Sequence, residues 1–285
     1  MSAAKIEALW KESLQLFVNI DLVSTHNTLY KALQILEVEG ISKPISKQQE
    51  QVIDFSDANV EELMWKTLAL FAKNKVQAFP YAGTLLGLTR DNKLLPNDKD
   101  IDVGVFINQI DLASTVLQNS GWEPVANAGL PFFNYKAFYH TELGITIDLC
   151  GLAMESTTNM LIGGFWLKDA PSSFQRILEY PGEHKFNLVD SPYGKVWQLE
   201  NPESWLELFY GPEWRVPDPH FYSIISSRNL RNYSLLVECF GLMRLLEYWI
   251  FCNYKKALEI AKQIQYQQPN NKIIGRIIQK LELLQ

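Results

Sequence analysis

The run from Pro80 to Val105 constrains the chain more than any other stretch, because it packs a Gly-Thr turn and a pair of spaced acids into one strand, turn, helix, strand unit. Val76 to Tyr81 reads as a strand, Gly83-Thr84 as the turn, Leu85 to Thr89 as a short helix, and Ile101 to Phe106 as the next strand. Residues two apart in a strand share a face, so Asp100 and Asp102 project together while Ile101 and Val103 turn to the core. Paired carboxylates repel, and a hard divalent cation, Mg²⁺ or Mn²⁺, is the partner that suits such oxygens. A Gly-Thr turn ahead of a helix offers backbone N–H groups and a hydroxyl, which suits phosphate oxygens.

A length of 285 residues allows one sizeable core with a small accessory domain. A net charge of −6 argues against a general nucleic-acid binder, which would carry a basic footprint. The first twenty residues hold Lys5, Glu7, Lys11 and Glu12 among apolar positions, so they read as neither signal peptide nor membrane span. Cys150, Cys239 and Cys252 lack metal-binding spacing and suit a reducing compartment, so a cytoplasmic protein is expected.

Three segments are expected. Residues 1–55 form a helical segment, with apolar positions recurring at three and four over residues 3 to 38 and a connector from Glu39 to Asp54. Residues 56–218 form the catalytic domain, opening on a helix with Asp57 as its N-cap. Within it Asp111 to Asn119 reads as helix, Phe132 to Tyr139, Gly144 to Cys150 and Met160 to Leu167 as extended, and Pro202 to Tyr210 as a helix stopped by Gly211. Residues 219–285 are helical, with nine basic residues against four acids, so this tail carries +5 and the remainder −11. Asn253 to Ala261 with Pro269 fits either the second helix of a tetratricopeptide repeat or a plain helical hairpin.

Asp148 stands in the apolar run Ile145 to Cys150, where an unpaired carboxylate is costly, and it is the candidate third acid beside Asp100 and Asp102. It is also a candidate acceptor of a substrate hydroxyl proton. Arg90 is either a phosphate clamp or an exposed helix-end residue. Lys185 and Lys195 either meet a donor phosphate or are solvated, and Trp166 and Trp197 either stack on a ligand or fill the core. The four histidines, His26, His140, His184 and His220, lack ligand spacing and read as structural or exposed.

Gly83-Thr84-Leu85-Leu86-Gly87, Arg90 and Leu95-Pro96-Asn97-Asp98-Lys99-Asp100-Ile101-Asp102 resemble, without a gap, a motif of the LicD and fukutin family of phosphotransferases. Asn97 and Lys99 stand where the family has Trp and Asp. Trp205-Leu206, Tyr210-Gly211, Trp214 and Pro217 resemble a second family element, so the likeness spans roughly residues 60 to 218. It implies a nucleotidyltransferase-like α/β (α+β) fold, a mixed β-sheet flanked by helices, with the helical N- and C-terminal extensions outside it. It further implies transfer of choline, ribitol or glycerol phosphate from a CDP-linked donor to a glycan hydroxyl, releasing CMP, in surface polysaccharide or lipopolysaccharide modification. Asp100 and Asp102 carry over as metal ligands, Gly83 and Thr84 as the phosphate turn. Asp148 joins them by its strand position.

Two other functions fit the same residues. One is nucleotidyl transfer from an NTP to a small molecule or protein, with pyrophosphate leaving. The other is an inactive scaffold whose tail docks partners, against which the three costly acids count. The basic tail suits partner docking or attraction to an anionic membrane surface at the cytoplasmic face, where lipid-linked glycan acceptors would be met.

Overall fold

The computed structural model describes residues 2–41, 55, 58–125 and 132–285. The expected Asp57 cap and most of the Glu39 to Asp54 connector lie outside these. Helices α1 (Ser2–Val18) and α2 (Leu22–Glu39) come first. The single helical reading of residues 3 to 38 is thus corrected: the chain breaks at Asn19 to Asp21, where Ile20 takes φ +64° and the Asp21 side chain accepts the Ser24 N–H to start α2.

Then follow α3 (Ala58–Lys73), β1 (Ala78–Pro80), α4 (Ala82–Arg90), β2 (Asp100–Phe106), α5 (Ile110–Gln118), β3 (Trp122–Pro124), β4 (Tyr135–His140), β5 (Ile145–Glu155) and β6 (Met160–Phe165). Strands β7 (Arg176–Tyr180), β8 (Phe186–Ser191) and β9 (Gly194–Leu199) precede α6 (Pro202–Tyr210), and α7 (Ser223–Ser226), α8 (Leu235–Ile250), α9 (Tyr254–Gln267) and α10 (Lys272–Glu282) complete the chain. The stretch after Pro219 is therefore helical only in part. Among the described residues, no helix is long and apolar enough to cross a membrane.

The chain divides into two compact units, one comprising Gln51–Lys168 with Ile177–Pro217 and the other Met1–Glu50, Asp169–Arg176 and Asp218–Gln285. In the second, the terminal segments share one apolar core, with Leu29, Leu33 and Leu36 of α2 beside Leu242, Leu245 and Trp249 of α8 and Ile264 and Ile277 of α9 and α10. Part of the tail's basic charge is met there, since Arg276 Nε donates to Glu37 Oε1 at 2.6 Å.

The first unit is built on a mixed α/β sheet of order β1-β2-β5-β4-β3, extended by β6 on β5 and β7 on β6. Strands β2 and β5 are parallel, while β1 on β2, β4 on β5 and β3 on β4 are antiparallel. Strands β8 and β9 form a separate hairpin. Ile101, Val103, Ile147 and Leu149 point to one face and are wholly buried with Met64, Leu68 and Phe71 of α3 and Ala113 and Leu117 of α5. The alternate residues of β2 and β5, Asp100, Asp102 and Asp148 among them, occupy the opposite face.

On that face the Trp205 ring of α6 stacks on Tyr180 at 4.3 Å and lies edge-on to Phe79, Tyr81 and Phe186. Gly104 makes room for this layer, because a Cβ there would meet the Phe79 ring at 2.7 Å. Gly87 has a similar use: a Cβ would lie 2.6 Å from the Lys93 carbonyl oxygen and 3.0 Å from the Leu95 nitrogen, so glycine lets the chain fold back against α4 before β2. Since backbone cannot swing aside as a side chain can, Gly87→Ala should destabilise the protein by about 1–3 kcal/mol. Urea unfolding followed by circular dichroism measures this.

Candidate active site

The β1–α4 junction grips one residue, Asp102, at three points. The Tyr81 N–H donates to the Asp102 carbonyl at 3.1 Å, and the Asp102 N–H donates to Thr84 Oγ1 at 2.8 Å. The Gly83 N–H donates to Asp102 Oδ2 at 3.0 Å. The helix begins at Ala82, which takes φ +40°, a conformation that disfavours a side chain. Gly83 and Thr84 therefore belong to the first turn of α4, which corrects their reading as a turn before it.

Thr84 is also completely buried and its hydroxyl oxygen accepts from β2, so it aligns the acid strand. Gly83 is needed for a steric reason. A Cβ at this position would stand 2.9 Å from Asp98 Oδ2 and 3.2 Å from Asp102 Oδ2, so the missing side chain lets two carboxylates close over the helix N-terminus. The partial positive charge of that terminus favours such anions.

Strand register brings in the third acid. In the parallel β2–β5 pair Asp102 lies directly opposite Asp148, and Asp100 opposite Thr146. Tyr135, at the start of β4, donates its hydroxyl to Asp148 Oδ2 at 2.7 Å. Asp98, Asp100, Asp102 and Asp148 are each half-buried, and among the described residues none of the four forms an ion pair.

Removal from water dominates their electrostatics and mutual repulsion adds to it. Burial and then the Asp100 charge push Asp98 up to about 7, and the same two causes push Asp148 up to about 7 against the opposing Tyr135 hydrogen bond. Burial raises Asp100 despite the neighbouring Lys99, and burial with the charges of Asp100, Asp148 and Asp98 raises Asp102 well above its ordinary value. Tyr210, at the end of α6, is raised by burial and by the charges of Asp102 and Asp98.

Arg90 ends α4 and pairs with its neighbour Asp91, its Nη2 donating to Asp91 Oδ2 at 2.9 Å. Lys185 is exposed, and Lys195 lies 3.6 Å from Asp190 on the β8–β9 hairpin. Trp166 is buried, with its indole N–H donating to the Gly163 carbonyl at 3.0 Å. His184 is structural: its Nδ1 accepts the Trp205 indole N–H at 2.9 Å, so its Nε2 carries the proton toward the Tyr180 carbonyl at 2.9 Å. All three cysteines are free thiols, and Cys150 shares the face of Asp148.

The site thus unites Asp100, Asp102 and Asp148 with the Gly83 N–H and adds Asp98, Tyr135 and Tyr210. Asp98 lay inside the motif, and its part was concealed by Lys99 beside it. Tyr135 is one aromatic in the run Phe132 to Tyr139, and only the β4–β5 register distinguishes it.

The donor chemistry fits a hard divalent cation, since Asp100, Asp102 and Asp148 share one face with Asp98 beside them and, among the described residues, none of the four forms an ion pair. Among the described residues, however, no group of three or more His, Cys, Asp or Glu side chains is gathered closely enough to hold an ion alone. Mg²⁺ usually takes one or two carboxylates and completes its shell with water and phosphate oxygens.

The site is thus a mixed sheet carrying spaced acids on the strand that follows a Gly-Thr helix start. Residues 75–198 match the family model described as LicD/FKTN/FKRP, nucleotidyltransferase domain, which agrees with the family likeness of the motif from Gly83 to Asp102. No curated protein matches the chain. Among solved structures, the crystal structure of lincosamide antibiotic adenylyltransferase LnuA, lincomycin-bound, is 13% identical with a TM-score of 0.36, covering 55% of this chain and 86% of that one.

Folding raises Asp98 and Asp148 from 3.8 to about 7, so the folded protein holds protons that the unfolded chain has released. Their contribution to stability is full below 3.8 and is lost as pH rises through about 7. The cation-free protein should melt lower at about pH 8 than at about pH 5.5, and this difference should shrink in the Asp98→Asn, Asp148→Asn double variant. Added Mg²⁺ should recover the melting temperature mainly at the higher pH, which scanning fluorimetry reads directly.

Proposed function

We propose that the chain is a divalent-cation-dependent phosphotransferase that moves a phospho-alcohol from a CDP-linked donor to a glycan hydroxyl and releases CMP. The observation that carries this reading is the placement of Asp102 opposite Asp148, with Asp100 on the same face and the Gly83 N–H on Asp102. The family domain over residues 75–198 supports the reaction class. Choline, ribitol and glycerol phosphates are the cargoes implied by the family motif.

In this reaction the acceptor oxygen bonds to the phosphorus that carries the alcohol. The bond from that phosphorus to the bridging oxygen breaks, CMP leaves with that oxygen, and the acceptor proton passes to an ionised carboxylate or to solvent. Asp100, Asp102 and Asp148 would hold Mg²⁺ or Mn²⁺, which when bound supplies charge to offset the donor diphosphate. The β1–α4 junction fixes the orientation of Asp102 before substrate arrives, so little ordering remains at the moment of transfer. The apolar face of β2 and β5 keeps the acid strands from separating under their own repulsion.

Exposed Lys255, Lys256, Lys262 and Lys272 on α9 and α10 would draw the protein to an anionic membrane surface bearing lipid-linked glycan. Pelleting with anionic liposomes at low salt, and none with neutral ones, is the expected outcome.

Asp100→Asn and Asp102→Asn each remove a ligand charge without changing side-chain volume, so turnover should fall at least about 100-fold while the fold survives. The assay is CMP release from CDP-choline, CDP-ribitol and CDP-glycerol with Mg²⁺, alongside circular dichroism of each variant. Pyrophosphate release from an NTP, with no CMP from any CDP-alcohol, would instead establish nucleotidyl transfer.

A further inference from the structure

We propose that Tyr135 is a positioning residue of the transfer site, whose hydroxyl holds one oxygen of Asp148 and reserves the other for the cation or the acceptor. This rests on the reading of Asp148 as part of that site. Strand β4 flanks β5 on the side away from β2, and its register places Ala137 opposite Asp148 and Tyr135 opposite Cys150. Tyr135 therefore shares the face of Asp148 at the diagonal position, a separation that an aromatic side chain spans.

Its hydroxyl meets Asp148 Oδ2 at 2.7 Å. A phenol keeps its proton at neutral pH, so Tyr135 donates and the carboxylate accepts. Among the described residues, no hydrogen bond engages Asp148 Oδ1, so the two oxygens have different tasks. The ring is itself held in place: Phe165 meets it edge-on at 5.7 Å, and Phe165 stacks on Phe132 at 4.8 Å. An aromatic brace from β6 thus fixes a phenol on β4, which fixes a carboxylate on β5.

Without the hydroxyl, Asp148 would be free to rotate away from Asp100, whose charge opposes its own. Outer partners that orient ligating groups typically contribute 10- to 100-fold to metal affinity or activity. Simple satisfaction of a buried acid would also account for the contact, and the coupling between the two residues separates these possibilities.

The experiment is a double-mutant cycle on Tyr135→Phe and Asp148→Asn, reading kcat and donor KM, with Mn²⁺ half-saturation in the presence of CMP followed by electron paramagnetic resonance. Tyr135→Phe should lower kcat or weaken Mn²⁺ binding roughly 10- to 100-fold with donor KM little changed. In the Asp148→Asn background the same change should have no further effect, because its only route is through that carboxylate. Phe165→Leu, which loosens the brace and keeps the hydroxyl, should give a smaller loss with the same dependence on Asp148, and it serves if Tyr135→Phe does not fold.

Wild-type kcat and Mn²⁺ binding in the Tyr135 variant, or losses that simply add, would overturn the inference while leaving the transfer site intact. Wild-type behaviour of Asp148→Asn alone would remove Asp148 from the site and the inference with it.

Discussion

The parallel pairing of β2 with β5 is the constraint from which the rest of the site follows. It sets Asp102 against Asp148 and keeps Asp100 on the same face, so the charges meet wherever these strands pair. Two ionised carboxylates about 4 Å apart at a protein surface repel by roughly 4 kcal/mol. On the reverse face Ile101, Val103, Ile147 and Leu149 are fully buried, and each such side chain contributes about 1.5–3 kcal/mol. Burial on one side is thus large enough to hold repulsion on the other. The surplus negative charge is what the proposed divalent cation would offset.

The β1–α4 junction converts that charge into a defined geometry. Its contacts reach the N–H, the carbonyl and the carboxylate of Asp102, all from the four residues Tyr81 to Thr84. Both motif glycines then have physical explanations. At Gly83 a side chain would strike Asp98 and Asp102, and at Gly87 it would strike the returning backbone. The layer around Trp205 backs the same face.

Much of this was legible in the sequence because it rests on local spacing. Alternation placed Asp100 and Asp102 together, the apolar run around Asp148 singled that acid out, and Pro202 with Gly211 bounded α6, where Gly211 takes φ +96°. Features that depend on pairing partners were hidden. The use of the Thr84 hydroxyl by β2 and the choice of Tyr135 from a run of aromatics both follow from contacts 13 or more residues apart in sequence. Strands β7 to β9 were unreadable for the same reason, and the common core of the terminal helices required contacts between opposite ends of the chain.

The most direct test is anomalous diffraction from crystals grown with Mn²⁺ and CMP. A Mn²⁺ peak on the face of Asp100, Asp102 and Asp148, with the CMP phosphate beside it, is the expected result. A Mn²⁺ peak elsewhere, or CMP bound away from these acids, would contradict the assignment of this face as the transfer site.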